Sequence, residues 1–557
     1  MEFFRRYSEI IFAFVLFAVI LILKFPVLSL PYSWDVMNYI IPASQHVFES
    51  GFSIFLWEHG NGHPPLYFLL LGFVFKLFGS MPLVAHLTSV IFSFLAVYFT
   101  YLLGKLLFNR KIGIIASLLM FFYPTFFSYS GMSYLAMPLV AFTTMSIYFF
   151  LRGNSIAYLI FSSLLVLTEE RGIFIPAALL FYRFLKNKKI DIKKDFIFAI
   201  PILVFLSWLL SNKIHYGTFL YPLNSSLFSL GVNNIFNGFA ILKSLFFDYY
   251  KWILTSFVLV CCFSFKLLDN KLKVFYGLIA SFILFLVLFN LHKFSYYFSE
   301  SFPNVLNYFL ILKEFSLLFS LLLFIVTISF SDFVTFFNNN KLYPLYTVFI
   351  FMFISYFLFI PFPSRYGIPI YPIIFVIFSL SLSKLFKRYS YLAVLLIIAL
   401  FVFSWTGDRS EVGFVLENNM EYSDMIKTHQ MAVDFLQVNY PNSVVLASYP
   451  QSLELMHPYL GYVDEPMKVI SIPPYPGLVT KNSTIYLNPG LYNKTINLNE
   501  INIIYISGQE FKTKHSEELY NLLDRKLVKR FELNGKVVEI YEVENNLNYP
   551  VYYLPLD

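Results

Sequence analysis

The chain has 557 residues, of which 58% are hydrophobic, 21% aromatic and only 13% charged. A soluble domain carries about 25% charged residues, so this chain cannot cover its surface in water and a soluble globular class is excluded. The formal charge of +7 is no nucleic-acid signal, because the basic residues sit in short clusters between apolar runs.

The first apolar run, 10–30, follows Arg5 and Arg6. It is too long for a signal-peptide core and lacks a small-x-small cleavage site, so it reads as a retained first span. Hydrophobicity then predicts thirteen spans in all: 10–30, 82–106, 112–128, 134–151, 155–168, 173–186, 196–212, 249–266, 272–291, 306–330, 343–360, 367–384 and 389–406. Most approach the length that crosses a hydrocarbon core about 30 Å thick. The short pair 155–168 and 173–186 has a re-entrant hairpin as its alternative, and either form returns the chain to the same side. Cys261 and Cys262 are adjacent inside an apolar run and read as buried thiols, with no disulfide framework.

One apolar stretch, 64–78, is excluded from the spans. With it lying along the interface, the inner side receives Arg5/Arg6, Arg110/Lys111, Arg152, Lys186/Lys188/Lys189/Lys193/Lys194, Lys266/Lys271/Lys273, Lys341 and Lys384/Lys387/Arg388. The short outer connections keep far fewer cations, as the positive-inside rule requires. The N-terminus is then cytoplasmic, and the C-terminal region lies outside. The Asn-x-Ser/Thr sequons at Asn224, Asn482 and Asn493 also fall outside.

After Trp405 the composition changes, and the chain divides into a membrane domain, 1–406, and a soluble α/β domain, 407–557. Strand-like runs appear at 443–448, 468–472, 484–487, 501–507 and 537–543, with helical patterns at 421–438 and 515–527. Asn534-Gly535 reads as a hairpin turn. The tail carries no phosphate-binding glycine loop, zinc spacing or nucleophile elbow, and reads otherwise as a lid or docking surface.

Ionisable groups near an apolar belt are costly and therefore informative. Four clusters fall on the outer face. Asp35 follows the first span, where it can accept a proton from a hydroxyl, bind a divalent cation, or cap a helix over 36–48. Glu58 and His63 lie in Trp57-Glu58-His59-Gly60-Asn61-Gly62-His63-Pro64-Pro65, a tight turn in which His63 can face a phosphate or simply be solvated. Thr168-Glu169-Glu170-Arg171-Gly172 tips the short helical pair: Arg171 can grip phosphate oxygens while Glu169 or Glu170 orients it or meets an acceptor, or the three form a local ion pair. Arg365-Tyr366 sits between two spans, placed to bind phosphate bidentately or to snorkel into the headgroups. Together they suit a lipid-linked phosphate held at the interface.

The ordered set resembles the GT-C integral-membrane glycosyltransferases, in the group of the protein O-mannosyltransferases and the lipid A aminoarabinose transferase. The resemblance rests on Asp35, on His63-Pro64-Pro65-Leu66-Tyr67 with Phe78-Gly79, and on Leu106-Leu107-Phe108-Asn109-Arg110-Lys111-Ile112-Gly113. Leu167-Thr168-Glu169-Glu170-Arg171-Gly172, and Arg365-Tyr366 with Pro369 and Pro372, complete it. It implies a polytopic α-helical fold of about thirteen transmembrane helices, interfacial helices in the first outer loop, and a small C-terminal extracytoplasmic α/β domain. It also implies a polyprenyl-phosphate sugar donor, transfer with inversion to a hydroxyl of a protein, lipid or glycan, and membrane lipid as the other partner, with no nucleic acid. Asp35 stands as the base; Arg365, Arg171 and His63 as donor-phosphate ligands; and Glu58, Glu169, Glu170 and Tyr366 as acceptor or orienting groups. A divalent cation on Asp35 is left open as the one cofactor. Where many relatives have Asp-Glu this chain has Asp35-Val36, and it has acids where many have a Lys near Glu169. The alternatives are a transporter or flippase of lipid-linked glycans, and an inactive glycan-binding member.

Overall fold

The computed structural model describes residues 2–187, 192–221, 340–358, 364–407, 419–472, 500–508 and 523–544, with short pieces at 246, 251, 254–255, 496–497, 520–521 and 551–552. The predicted spans 272–291 and 306–330, nearly all of 249–266, the two cysteines, the run 484–487 and all three sequons lie outside the described residues.

Helix α1 (Glu2–Lys24) opens the chain. Its exposed Ile10, Phe14 and Ile22 present an apolar face that only lipid can solvate. The first loop then folds as a π-helical turn (Val36–Ile40), α2 (Ile41–Ser50), the short α3 (Trp57–Gly60) and α4 (Leu66–Phe78). A helix of α4's length spans about 20 Å, against a core of about 30 Å. It runs beside α2, where Ser80 Oγ donates to Gln45 Oε1 (2.5 Å) and Phe52 meets Phe73. Pro82, which starts the next helix, comes back beside Gly461 and Pro31. Helix α4 is thus shorter than the hydrocarbon core and packs along α2.

The long helices follow. They are α5 (Pro82–Leu107), α6 (Arg110–Phe122), α7 (Pro124–Tyr129), α8 (Ala136–Arg152), α9 (Ser155–Val166), α10 (Phe174–Asn187), α11 (Ile192–Tyr216), α12 (Tyr343–Leu358), α13 (Tyr371–Phe386) and α14 (Ser390–Gly407). Asn109 and Asn154 cap α6 and α9, each accepting a backbone N–H at 3.0 Å. Pro82, Pro124 and Pro372 sit in first turns, where a missing N–H is harmless. The predicted span 112–128 is broken at Tyr123, whose extended backbone precedes Pro124. Among the described residues four stretches are long and apolar enough to cross a membrane: Tyr7–Val27, Pro82–Leu107, Asp195–Tyr216 and Arg365–Trp405. The last folds as α13 and α14 around a turn at Lys387–Tyr389. Shorter apolar helices, among them Ala136–Arg152 and Ser155–Val166, pack against these.

In the tail, α15 (Glu421–Asn439) covers a five-stranded sheet of order β2-β1-β4-β6-β5. Its strands are β1 (Val444–Ser448), β2 (Lys468–Ile472), β4 (Ile503–Ser507), β5 (Arg525–Leu533) and β6 (Lys536–Val543), while β3 (Ile496–Asn497) pairs with β7 (Val551–Tyr552) in a separate ribbon. Strand β1 runs parallel to β2 and β4, and β6 is antiparallel to β4 and β5. The Asn534-Gly535 turn has both residues at positive φ, as a tight hairpin needs. The helical reading of 515–527 is corrected at its end: the hairpin register pairs Arg525 with Val543 and draws 525–527 into β5.

The tail is tied to the membrane part. Tyr32 N–H donates to Leu460 O (3.3 Å), Tyr462 Oη donates to Tyr32 O (2.9 Å), and Ser128 Oγ donates to Asn419 O (2.9 Å). From the other side His86 Nε2 meets Leu30 O at 3.0 Å. The strand leading to Asp35 is thus gripped by both halves.

Candidate active site

Asp35 begins the π-helical turn, but its side chain makes no capping bond, so the cap reading is set aside. Its carboxylate instead accepts from Arg365 Nη2, 330 residues away in sequence. Trp34 holds a positive φ of 46°, an uncommon conformation for a bulky residue that fixes the exit angle of the chain at Asp35. Arg365 rides on the turn Ser364–Ile370 ahead of α13, its guanidinium 5.0 Å from the ring of Tyr134 and 5.4 Å from that of Tyr366.

Tyr366 joins Arg365 to the α9–α10 turn, because the Arg171 guanidinium lies 3.7 Å from its ring. Arg171 donates through Nε to Glu169 Oε1 at 2.5 Å, and through Nη2 to the same oxygen. This turn is compact: Gly172 N–H donates to Glu169 O (2.9 Å), and a Cβ on Gly172 would meet Leu165 O at 2.6 Å.

His63 arrives by a different route. Asn61 and Gly62 both have positive φ, and a Cβ on Gly62 would lie 2.1 Å from Tyr221 Cβ. The Leu66 N–H then donates to Leu167 O (3.0 Å), tying the start of α4 to the acidic turn. His63 Nδ1 consequently sits 2.9 Å from Glu170 Oε2. Burial opposes charge on His63, but Glu170 and then Glu169 outweigh it and hold the imidazole above its usual 6.5. Burial likewise opposes the Glu170 carboxylate, which His63 nevertheless holds below its usual 4.5. The pair is therefore ionic near neutral pH.

Several of these groups line one pocket, walled by Tyr39, His63, Tyr134, Leu135, Ala136, Leu139, Glu169, Arg171, Arg365 and Tyr366, and Asp35 and Glu170 join it through Arg365 and His63. The lining sets three basic side chains beside the apolar Leu135, Ala136 and Leu139 at the start of α8. A phosphate bearing a hydrocarbon chain needs that combination. Glu58 is not part of it: the residue is exposed on α3, beside His59 and Tyr216. Tyr39 and Tyr134 went unnoticed in the sequence. Tyr39 lies four residues past Asp35, a spacing that shares a helical face, but Tyr134 is one of 41 tyrosines and carries no signal of its own. Among the described residues no group of three or more His, Cys, Asp or Glu converges to hold a metal ion, and the Asp35 carboxylate is turned to Arg365.

Residues 62–215 match the family model of dolichyl-phosphate-mannose-protein mannosyltransferase. No curated protein sequence matches the chain. Two solved structures share its fold. ArnT from Cupriavidus metallidurans bound to undecaprenyl phosphate aligns with a TM-score of 0.50 and 13% identity, over 95% of this chain and 98% of that one. The same protein in its apo state gives 0.51 and 13%, over 96% and 98%. The family match takes in His63 and the acidic turn. The chain is thus a membrane protein that is similar over residues 62–215 to the dolichyl-phosphate-mannose-protein mannosyltransferases and that shares the fold of ArnT over nearly its whole length.

Proposed function

We propose that this chain moves a sugar from a polyprenyl-phosphate donor to an acceptor hydroxyl on the outer face of the membrane, with inversion. The observation that carries this reading is the convergence of Arg365, Arg171 and His63 on one pocket with an apolar wall, with Asp35 joined to it through Arg365. Three ion pairs taken largely out of water are a poor device for stability, because desolvation offsets their attraction. A site that must hold a phosphate at the membrane surface has reason to keep them.

In this mechanism the donor's hydrocarbon chain lies along Leu135, Ala136 and Leu139, and its phosphate meets Arg365 and Arg171. The acceptor oxygen attacks the anomeric carbon from the side opposite the phosphate. As that C–O bond forms, the bond from the anomeric carbon to the phosphate oxygen breaks, and its electrons leave on polyprenyl phosphate. The hydroxyl proton passes to Asp35. The arginines and protonated His63 stabilise the charge that grows on the leaving phosphate. Glu169 and Glu170 orient Arg171 and His63, and Tyr366 spaces the two arginines.

The same reading gives the whole chain about thirteen spans, a cytoplasmic N-terminus and an extracytoplasmic tail beginning near residue 407. It is supported by Asp35, Arg365, the acidic turn and the Tyr32–Leu460 contact with the tail all meeting on one face. The test is transfer of radiolabelled sugar from a panel of polyprenyl-phosphate donors by purified protein in proteoliposomes. Label should appear in product or in water-released sugar. No release from any donor, with Asp35→Ala indistinguishable from wild type in cells, would sink the proposal.

A further inference from the structure

In the pocket that should receive an anion, every cation already holds a carboxylate. Arg365 holds Asp35, Arg171 holds Glu169, and His63 holds Glu170. Three positive groups face three carboxylates, so the formal charge of this set is zero. A guanidinium edge that is hydrogen-bonded to a carboxylate is the same edge a phosphate would use, because the two anions present similar paired oxygens. A phosphate arriving at one of these guanidinium edges therefore competes with the carboxylate already there.

The three carboxylates are not equally displaceable. The side chains of Glu169 and Glu170 are 8% and 11% exposed, whereas that of Asp35 is 32% exposed. Glu169 takes two nitrogens of Arg171 on one oxygen within a tight turn, and Glu170 is pinned to His63 from a different loop. Asp35 makes no bond to its own helix. It is the acid with water to move into and the least to lose.

We infer that the donor binds by counter-ion exchange at Arg365: its phosphate takes the guanidinium from Asp35, and the released carboxylate becomes the base. This rests on the transfer mechanism above and deepens it. In the empty enzyme the Asp35 carboxylate is engaged by the Arg365 guanidinium and is not free to meet an acceptor hydroxyl. The arriving phosphate takes over that guanidinium, and the released carboxylate oxygen can turn to the acceptor. The base is thus armed by the donor itself, and donor binds before acceptor in productive turnover. After transfer the leaving group is a phosphate monoester with more negative charge than the donor diester. It keeps Arg365 occupied until it departs, and Asp35 then closes the pair again.

The inference has an outcome that a simple base would not give. Farnesyl phosphate, a short polyprenyl phosphate, is titrated onto the full-length protein in detergent. Asp35→Asn should bind it at least about fivefold more tightly than wild type, the low end of ordinary coupling between two ligands, although the variant transfers no sugar. Glu49→Gln removes the same charge from an exposed position in the first loop and should leave affinity unchanged. In an Arg365→Gln background, Asp35→Asn should no longer tighten binding, which isolates the pairwise effect. Thermal melting checks that each variant is folded, and Asp35→Ser replaces Asn if it is not. Equal or weaker binding by folded Asp35 variants overturns the exchange while leaving the transfer mechanism standing. No binding of farnesyl phosphate to wild type overturns the functional reading and the exchange together.

Discussion

Two buried clusters of charge can be set side by side, one at the membrane surface and one in the tail. In the tail, His429 Nδ1 lies 2.9 Å from Glu454 Oε1, and His429 Nε2 lies 2.9 Å from Ser507 Oγ. Tyr505 Oη donates to Glu454 Oε2 at 3.2 Å, and Lys536 Nζ lies 3.0 Å from Glu421 Oε2. The order acid–histidine–serine invites a hydrolytic reading. Yet His429 and Glu454 are each 2% exposed, Ser507 is 0% exposed, and none of them lines the pocket at the membrane surface. Sealed and mutually satisfied, the tail network specifies packing between α15 and the sheet. The membrane cluster has the same kinds of groups, but its His63, Glu169, Arg171 and Arg365 line a pocket beside apolar Leu135, Ala136 and Leu139. Distance and residue type do not separate the two clusters; access does.

Mutation should break the clusters in opposite ways. The largest effect is expected at Asp35: Asp35→Ala should lower sugar transfer about 10²- to 10⁴-fold, the usual worth of a general base, with the melting temperature little changed. A transfer rate within threefold of wild type would remove Asp35 from the chemistry. His429→Ala should do the reverse. Losing the imidazole strips Glu454 of a buried partner and should cost about 2 kcal/mol or more of tail stability. That is read as earlier proteolysis of 419–544, with transfer per folded molecule near wild type. A normal melt with lost transfer would mean that the tail network works in catalysis after all.

The pattern of hydrophobicity made the class and most helix positions legible, because lipid enforces long apolar runs and interfacial stretches show their Pro and Gly punctuation. Leu66–Phe78 was separable from the spans only by the distribution of Lys and Arg. The four clusters were legible because charge near a bilayer is costly. Their pairing was not. Asp35 meets Arg365 across 330 residues, a relation that topology creates and local sequence cannot encode. Nor could sequence decide that Glu170 faces His63 while Glu169 faces Arg171, since neighbouring residues in a tight turn diverge by backbone angle alone. The tail's His429, Glu454 and Ser507 went unremarked for the same reason.

The pH profile offers a finer contrast. His63 is held above its usual value by Glu170, so its charge is complete below pH 6.5 and is lost as pH rises through the raised value. Glu170 is held below 4.5, so its charge is lost only as pH falls through that lower value. Between these limits the pair is ionic. Apparent donor affinity should be flat through neutral pH and fall about tenfold on the alkaline side, the worth of one charge-assisted contact. His63→Gln should flatten that limb and set affinity at the lower level throughout. An alkaline limb unchanged in His63→Gln assigns it to another group.

The smallest effect is expected at Glu58. It shares the first loop with His63 and was grouped with the acceptor acids by sequence, but it is exposed on α3 and outside the pocket lining. An exposed substitution away from packed features changes stability by less than about 0.5 kcal/mol, so Glu58→Gln should leave both melting and donor KM within about twofold of wild type. Glu169→Gln, the same chemical change at a buried carboxylate that accepts twice from Arg171, should raise donor KM several-fold as Arg171 loses the group that orients it. If Glu58→Gln instead costs tenfold in acceptor KM with donor KM unchanged, the acceptor passes over α3 to reach Asp35, and the functional surface extends beyond the ion-paired pocket.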